Sequence, residues 1–202
     1  MSINAEVIDQ GKDFVKIRIK GAPASLVNAI RRKILNGVET AAVEYIEVNK
    51  NTSGLYNEII AHRLAMIPFT FTKVIQNRNK CECEDLSCSK CSVRFVLKKK
   101  GPGIVYSKDI KTVHEDFKPL YDDIPIVRLL EGQEIDIEGI ITLGSGKDHA
   151  KYIPAIVGYE EIEPDNVYEM HIETISALDP LTIFKEAVEL LESEIAKIEK
   201  IL

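Results

Sequence analysis

Cys81, Cys83, Cys88 and Cys91 are the only cysteines in this 202-residue chain, and all four fall in the run KCECEDLSCSKC. A Cys-x-Cys pair and a Cys-x-x-Cys pair, joined by the turn 84–87, can bring four thiols to one point. The chain must then close a tight loop there, whatever surrounds it. Zinc is the expected occupant, because thiolates are soft ligands and a shell of four cysteines is a common closed site with no position left for a catalytic water. The competing readings are a pair of disulfides or four unrelated thiols. The opening segment MSINAEVIDQGKDF is polar and lacks the apolar core of a signal peptide. A reducing, cytoplasmic setting is therefore expected, where disulfides are disfavoured. Cys81 and Cys83 are also too close along the chain to bridge without strain. One structural zinc is expected to staple the loop. Glu82, Glu84 and Asp85 add acidic charge beside it, which a cation would offset.

Composition narrows the partners. The net charge is −6, from 32 acidic and 26 basic residues. A protein that grips nucleic acid by itself usually carries a basic surplus, so contact with nucleic acid is expected only through partners. Aromatics make up 6% and tryptophan is absent, which leaves little for base stacking. No apolar run approaches eighteen residues, so no membrane span is expected. The run Lys98-Lys99-Lys100 reads as a solvated strand end.

The first and last segments read as strands and helices. Val15, Ile17 and Ile19 alternate with polar residues, the period of a strand. A helix is expected over 23–36, with Leu26, Val27, Ile30 and Ile34 on one face, Pro23 in its first turn and Gly37 as a left-handed stop. A second strand is expected over 41–48 and a helix over 55–66, ending before Pro68. The middle of the chain, from Lys73 to Lys151, reads as mainly β, with strands at 93–97, 104–106 and 134–141. Two further strands are expected at 156–162 and 167–174, joined by Glu163-Pro164-Asp165-Asn166.

Asp179 and Pro180 make a good helix start. Beyond them Leu181, Phe184, Val188, Leu191, Ile195, Ile198 and Leu202 recur at alternating spacings of three and four. That narrow heptad seam favours packing against another helix, a partner's included, over a broad stripe laid on the chain's own sheet. Leu26, Ile30 and Ile34 of the first helix are expected to join Phe184, Val188, Leu191 and Ile195 in that bundle.

Four stretches taken in order resemble a known family. They are LVNAIRR at 26–32, LYNEIIAHRLAMIPF at 55–69, DDIPIV at 122–127 and GSGKDHAKYIP at 144–154. Together they are similar to the D-type subunit of archaeal RNA polymerase, its eukaryotic counterparts and the N-terminal domain of the bacterial alpha subunit. The resemblance implies an α+β fold of two domains. Residues 1–38 and 151–202 would form a dimerisation domain from both chain ends, and residues 39–150 an inserted β-rich domain carrying the cysteine loop. It further implies a non-catalytic assembly subunit that forms a heterodimer with subunit L, then collects small zinc-binding subunits and the large B-type subunit. Arg31, Arg32, His62 and Arg63 are expected as partner contacts on helix surfaces, the arginines through planar carboxylate pairing. The four cysteines resemble the zinc loop of the eukaryotic relatives, with one extra residue in the spacer. Many relatives insert a domain with iron–sulfur clusters between the last two strands. Here that connection is 163–166 and no cysteine follows Cys91, so no iron–sulfur cluster is expected.

Two other readings stand beside this one. A free-standing zinc-binding adaptor would need only the cysteines and the seam. An enzyme reading rests on GSGKDH, which lacks the spacing that wraps phosphate in backbone amides.

Overall fold

The computed structural model describes residues 3–200 except 73, 84, 86, 87, 164 and 165. Leu202 of the seam, Glu84 of the cysteine loop and Pro164-Asp165 of the last hairpin therefore lie outside the described residues. In chain order the elements are β1 (Asn4–Gln10), β2 (Phe14–Lys20), α1 (Ala24–Gly37), β3 (Glu39–Asn51), α2 (Asn57–Ala65) and β4 (Ser92–Lys100). There follow β5 (Gly103–Tyr106), β6 (Ile110–Thr112), β7 (Pro125–Leu129), β8 (Glu134–Ser145), β9 (Ala155–Glu163), β10 (Val167–Thr174) and α3 (Pro180–Glu199). The chain is thus α+β, and it divides into two compact units: Met1–Glu39 with Ser145–Leu202, and Thr40–Gly144.

The first unit is an antiparallel sheet in the order β1-β2-β10-β9, with α1 and α3 packed on one face. Strand period explains the burial. Val15, Ile17 and Ile19 of β2 and Tyr168, Met170 and Ile172 of β10 face the helices, while Lys16 and His171 point away. On the open face Arg18 donates from Nε and Nη2 to Oε1 of its cross-strand partner Glu169, at 3.0 and 2.6 Å. From α1, Val27, Ile30 and Ile34 complete the core, and from α3, Ile183 and Ala187. Strand β1 is not among the strands expected from sequence; Ile3, Ala5 and Val7 do alternate with polar residues, but nearly all of the strand is exposed, so the alternation marks no buried face. It pairs with β2 at the sheet edge, Ala5 opposite Ile19 and Val7 opposite Ile17.

Gly37 corrects one expectation. It is not among the glycines with positive φ; the helix runs through it to a cap at Val38, whose N–H reaches the Lys33 carbonyl. Its value is smallness, since a Cβ there would stand 3.2 Å from Leu190 Cδ1 of α3. The second crossing between units also moves, from the expected 150/151 to Gly144/Ser145. The reason is local. The loop after β8 folds back on the last turn of α1, where Lys147 N–H donates to the Asn36 carbonyl at 3.3 Å.

The second unit holds a sheet in the order β3-β8-β4-β6, the two-stranded pair β5–β7, and α2. Its core gathers Phe69, Phe95 and Phe117 with aliphatic side chains from β4, β7 and β8. Helix α2 contributes Ile60 and Leu64, both fully buried. Strand β4 pairs with β8 across its whole length, from Ser92 opposite Thr142 to Lys100 opposite Glu134.

Candidate partner groove and metal centre

On the first unit, α3 is apolar on two adjacent faces. Ile183 and Ala187 turn inward and are fully buried, with Leu190 half-buried beside them. This stripe packs α3 against α1 and the sheet of the same unit, which the two-in-seven seam does not anticipate. The seam itself lies next to it and stays open: Val188 is 38%, Ile195 53% and Ile198 60% exposed. The inner stripe is covered within the chain, and the seam is left exposed.

The open seam forms one wall of an apolar groove of about 570 Å³. Phe184, Val188, Leu191 and Ile195 line it from α3, Leu26 and Ile30 from α1, Ile19 and Ala5 from the sheet, and Ile3 from just before β1. Six of the seven residues expected from the first and last helices therefore meet here. The seventh, Ile34, is corrected: it is fully buried in the core and reaches no surface. Spacing places it on the apolar face of α1 but cannot tell the lower part of that face from the rim. Ile30, 7% exposed, forms the floor. Ile3 and Ala5 are not among the expected residues, and the alternation of Ile3, Ala5 and Val7 is the signal that points to them.

The expected arginines behave differently from one another. Arg31 is half-buried, and its Nε donates to Asn28 Oδ1 at 3.2 Å. Arg32 is exposed and lines a shallower groove with Ala29, Lys33, Asn36 and Leu191. In the second unit His62 and Arg63 lie on the exposed side of α2. Arg63 Nη1 donates to the Ile126 carbonyl at 2.8 Å, so this side chain also ties α2 to β7. The three lysines at the end of β4 are each matched: Lys98 with Asp136, Lys99 with Asp109 at 2.6 Å, and Lys100 with Glu134 at 3.7 Å. The hydrogen bond from Lys98 holds the Asp136 carboxyl below the usual range. Lys98 and Lys100 pair across to β8, and Lys99 pairs with the turn before β6, so the basic run is tied into its own unit.

The cysteines converge. Cys81 follows a single helical turn at Arg78–Lys80, with its N–H on the Arg78 carbonyl. The Cys88 carbonyl accepts from Cys91 N–H at 3.1 Å and from both Ser92 N–H and Ser92 Oγ at 2.9 Å, which sets the knuckle just before β4. All four sulfurs lie within 4.8 Å of one another, and all four are free thiols. Cys83 Sγ and Cys91 Sγ are 3.4 Å apart, far beyond a disulfide. Sulfurs bound tetrahedrally to one zinc at about 2.3 Å would stand about 3.8 Å apart, so the set fits that ion. The thiols also bias one another. Cys83, through its side chain and backbone amide, and then Gln76, hold the Cys81 thiol down to about 6. Contact with Cys81, then Cys91, pushes Cys83 up to about 12. Burial first, then neighbouring thiols, pushes Cys91 up.

Comparison with known proteins gives the class of this two-unit α+β chain: it is an alpha-like polymerase subunit. The family described as RNA polymerase Rpb3/RpoA insert domain matches residues 43–169, and the chain belongs to it. It is 44% identical over 158 residues to DNA-directed RNA polymerase subunit Rpo3 of Pyrococcus furiosus, a match covering 78% of this chain and 59% of that one. It is 38% identical over 140 residues to the Rpo3 of Methanothermobacter thermautotrophicus, covering 67% of this chain and 53% of that one. With the Rpo3 of Archaeoglobus fulgidus it shares 37% over 164 residues, covering 80% and 62%. The chain thus spans about three-fifths of the length of the curated relatives it matches. Among the described residues, no helix is long and apolar enough to cross a membrane.

Proposed function

We propose that this chain is a non-catalytic assembly subunit of an archaeal DNA-directed RNA polymerase, working in the cytoplasm. In this reading the unit built from both chain ends pairs with subunit L through the groove between α1, α3 and the β1 edge. The pair then gathers the small zinc-binding subunits and the large B-type subunit, with Arg31 and Arg32 as contacts for the latter and His62 and Arg63 as further partner contacts. Nucleotidyl transfer belongs to the large subunits, and nucleic acid is met only through them.

The observation that carries the reading is the open apolar groove on a chain of this family. Burying a Val or Leu side chain contributes about 1.5–3 kcal/mol, so a contiguous seam left in water marks a surface that a partner covers. Cys81, Cys83, Cys88 and Cys91 would hold one structural zinc. Bound there, zinc supplies charge neutralisation and a fixed knuckle, with no open coordination position for chemistry. The reading includes no iron–sulfur cluster.

The test is capture of the tagged chain from extract of its own cells. Recovery of the large polymerase subunits together with a small subunit of the L type is the expected result. A stable set of partners without polymerase subunits would replace this reading with the adaptor.

A further inference from the structure

The groove is not electrically neutral at its rim. Among its lining residues the only charged ones are Glu192 and Glu199, both on α3 and both exposed. They stand one position beyond Leu191 and Ile198, and seven residues apart, so they flank the seam on the same side of the helix. On the other flank Glu194 is already engaged by Lys33 of α1. Of the further cations, Lys185 lies on the same flank one heptad before Glu192, in the first half of α3, while Lys197, and Lys200 just past the helix end, fall at outward heptad positions. Arg32 lies in the separate shallow groove beyond Leu191. The C-terminal half of the apolar seam therefore meets its occupant with two exposed carboxylates along one edge.

We propose that the occupant of the groove is an amphipathic helix of a different chain, and that Glu192 and Glu199 select it by pairing with lysine or arginine flanking its apolar seam. This deepens the proposed pairing and rests on it. Phe184, Val188, Leu191 and Ile195 supply the contact that any apolar helix would accept. The two carboxylates supply the choice among such helices. They discriminate against a second copy whose α3 lies parallel, because its C-terminal half would bring the same two carboxylates to this edge. Ion pairs of this kind, at the rim of an interface, act mainly on association rate and on salt dependence.

The experiment measures binding of the purified chain to the small partner subunit of the proposed pair, at 50 and 500 mM NaCl, by titration and stopped flow. For the wild-type chain, high salt should weaken binding about tenfold, mostly through slower association. E192Q/E199Q should keep the fold, bind about tenfold more weakly at low salt, and lose most of the salt dependence. E192K/E199K should bind still more weakly. If E192Q/E199Q binds as the wild type does while V188D abolishes binding, the groove is the interface and the acidic edge selects nothing. If V188D also binds normally, the pairing reading itself has failed. Sedimentation of the wild-type chain alone showing a stable dimer that V188D dissolves would mean that a second copy fills the groove, which overturns the proposed selection.

Discussion

At Gly146 the backbone passes so close to α1 that a Cβ would stand 1.9 Å from the Leu35 carbonyl oxygen. No rotation of a side chain relieves a clash with backbone, so the loop or the last turn of α1 must shift. G146A should therefore destabilise the protein by roughly 2 kcal/mol or more. Chemical denaturation would show it as a lower midpoint with little change in slope, and a variant as stable as wild type would mean that the loop does not press on α1. This glycine sits in GSGKDH, whose phosphate-loop reading fails on spacing. Its place against a helix end is a matter of tertiary contact, and nothing in the local sequence carries it. The same limit explains Ile34 and Val188. Both sit on apolar stripes of period 3.6, yet one is fully buried and the other 38% exposed. Periodicity finds a stripe; only the neighbour decides which part of it is covered.

The cysteine knuckle is legible in the sequence because ligand spacing is local. Which secondary structure holds it is less so, since the short turn at Arg78–Lys80 depends on Asn77, whose side chain accepts from Asn79 N–H at 2.8 Å. Apart from Cys91, the three sulfur-bearing residues are half-buried, so a segment this polar has little core to hold it and metal binding should order it. Freshly purified, reduced protein should contain about one zinc per chain. C88S should lose most of it, because the serine hydroxyl is a poor substitute for thiolate. Hydrogen exchange should then rise across 76–92 while the sheet and helices of the first unit stay protected. Free thiols without metal, with the same protection in that loop, would show that something other than zinc holds the knuckle. Helix α3 shows the opposite difficulty. Its Asp179 cap, accepting from Thr182 N–H at 3.0 Å, and its Pro180 start are plain in the sequence. Its second apolar stripe, through Ile183 and Ala187, is masked by the regular heptad seam on the adjacent face.

At the scale of the molecule, the two chain ends meet in one sheet: β2 lies between β1 and β10, so residues near 15 and 172 are bonded neighbours. Long-range pairing of this kind leaves no mark on local periodicity. It is reached through resemblance, carried by four stretches that keep their order along the chain. In the proposed function, the face built by these two segments is the one a second subunit covers. Native mass spectrometry of the chain produced together with subunit L tests it most directly, comparing wild type with V188D. Val188 is exposed, so the aspartate leaves the chain folded, whereas inside an interface it costs the apolar contact and strands a charge, weakening pairing by about a hundredfold or more. The account predicts a one-to-one heterodimer for wild type and separate, folded subunits for V188D. A heterodimer of unchanged abundance with V188D would contradict it.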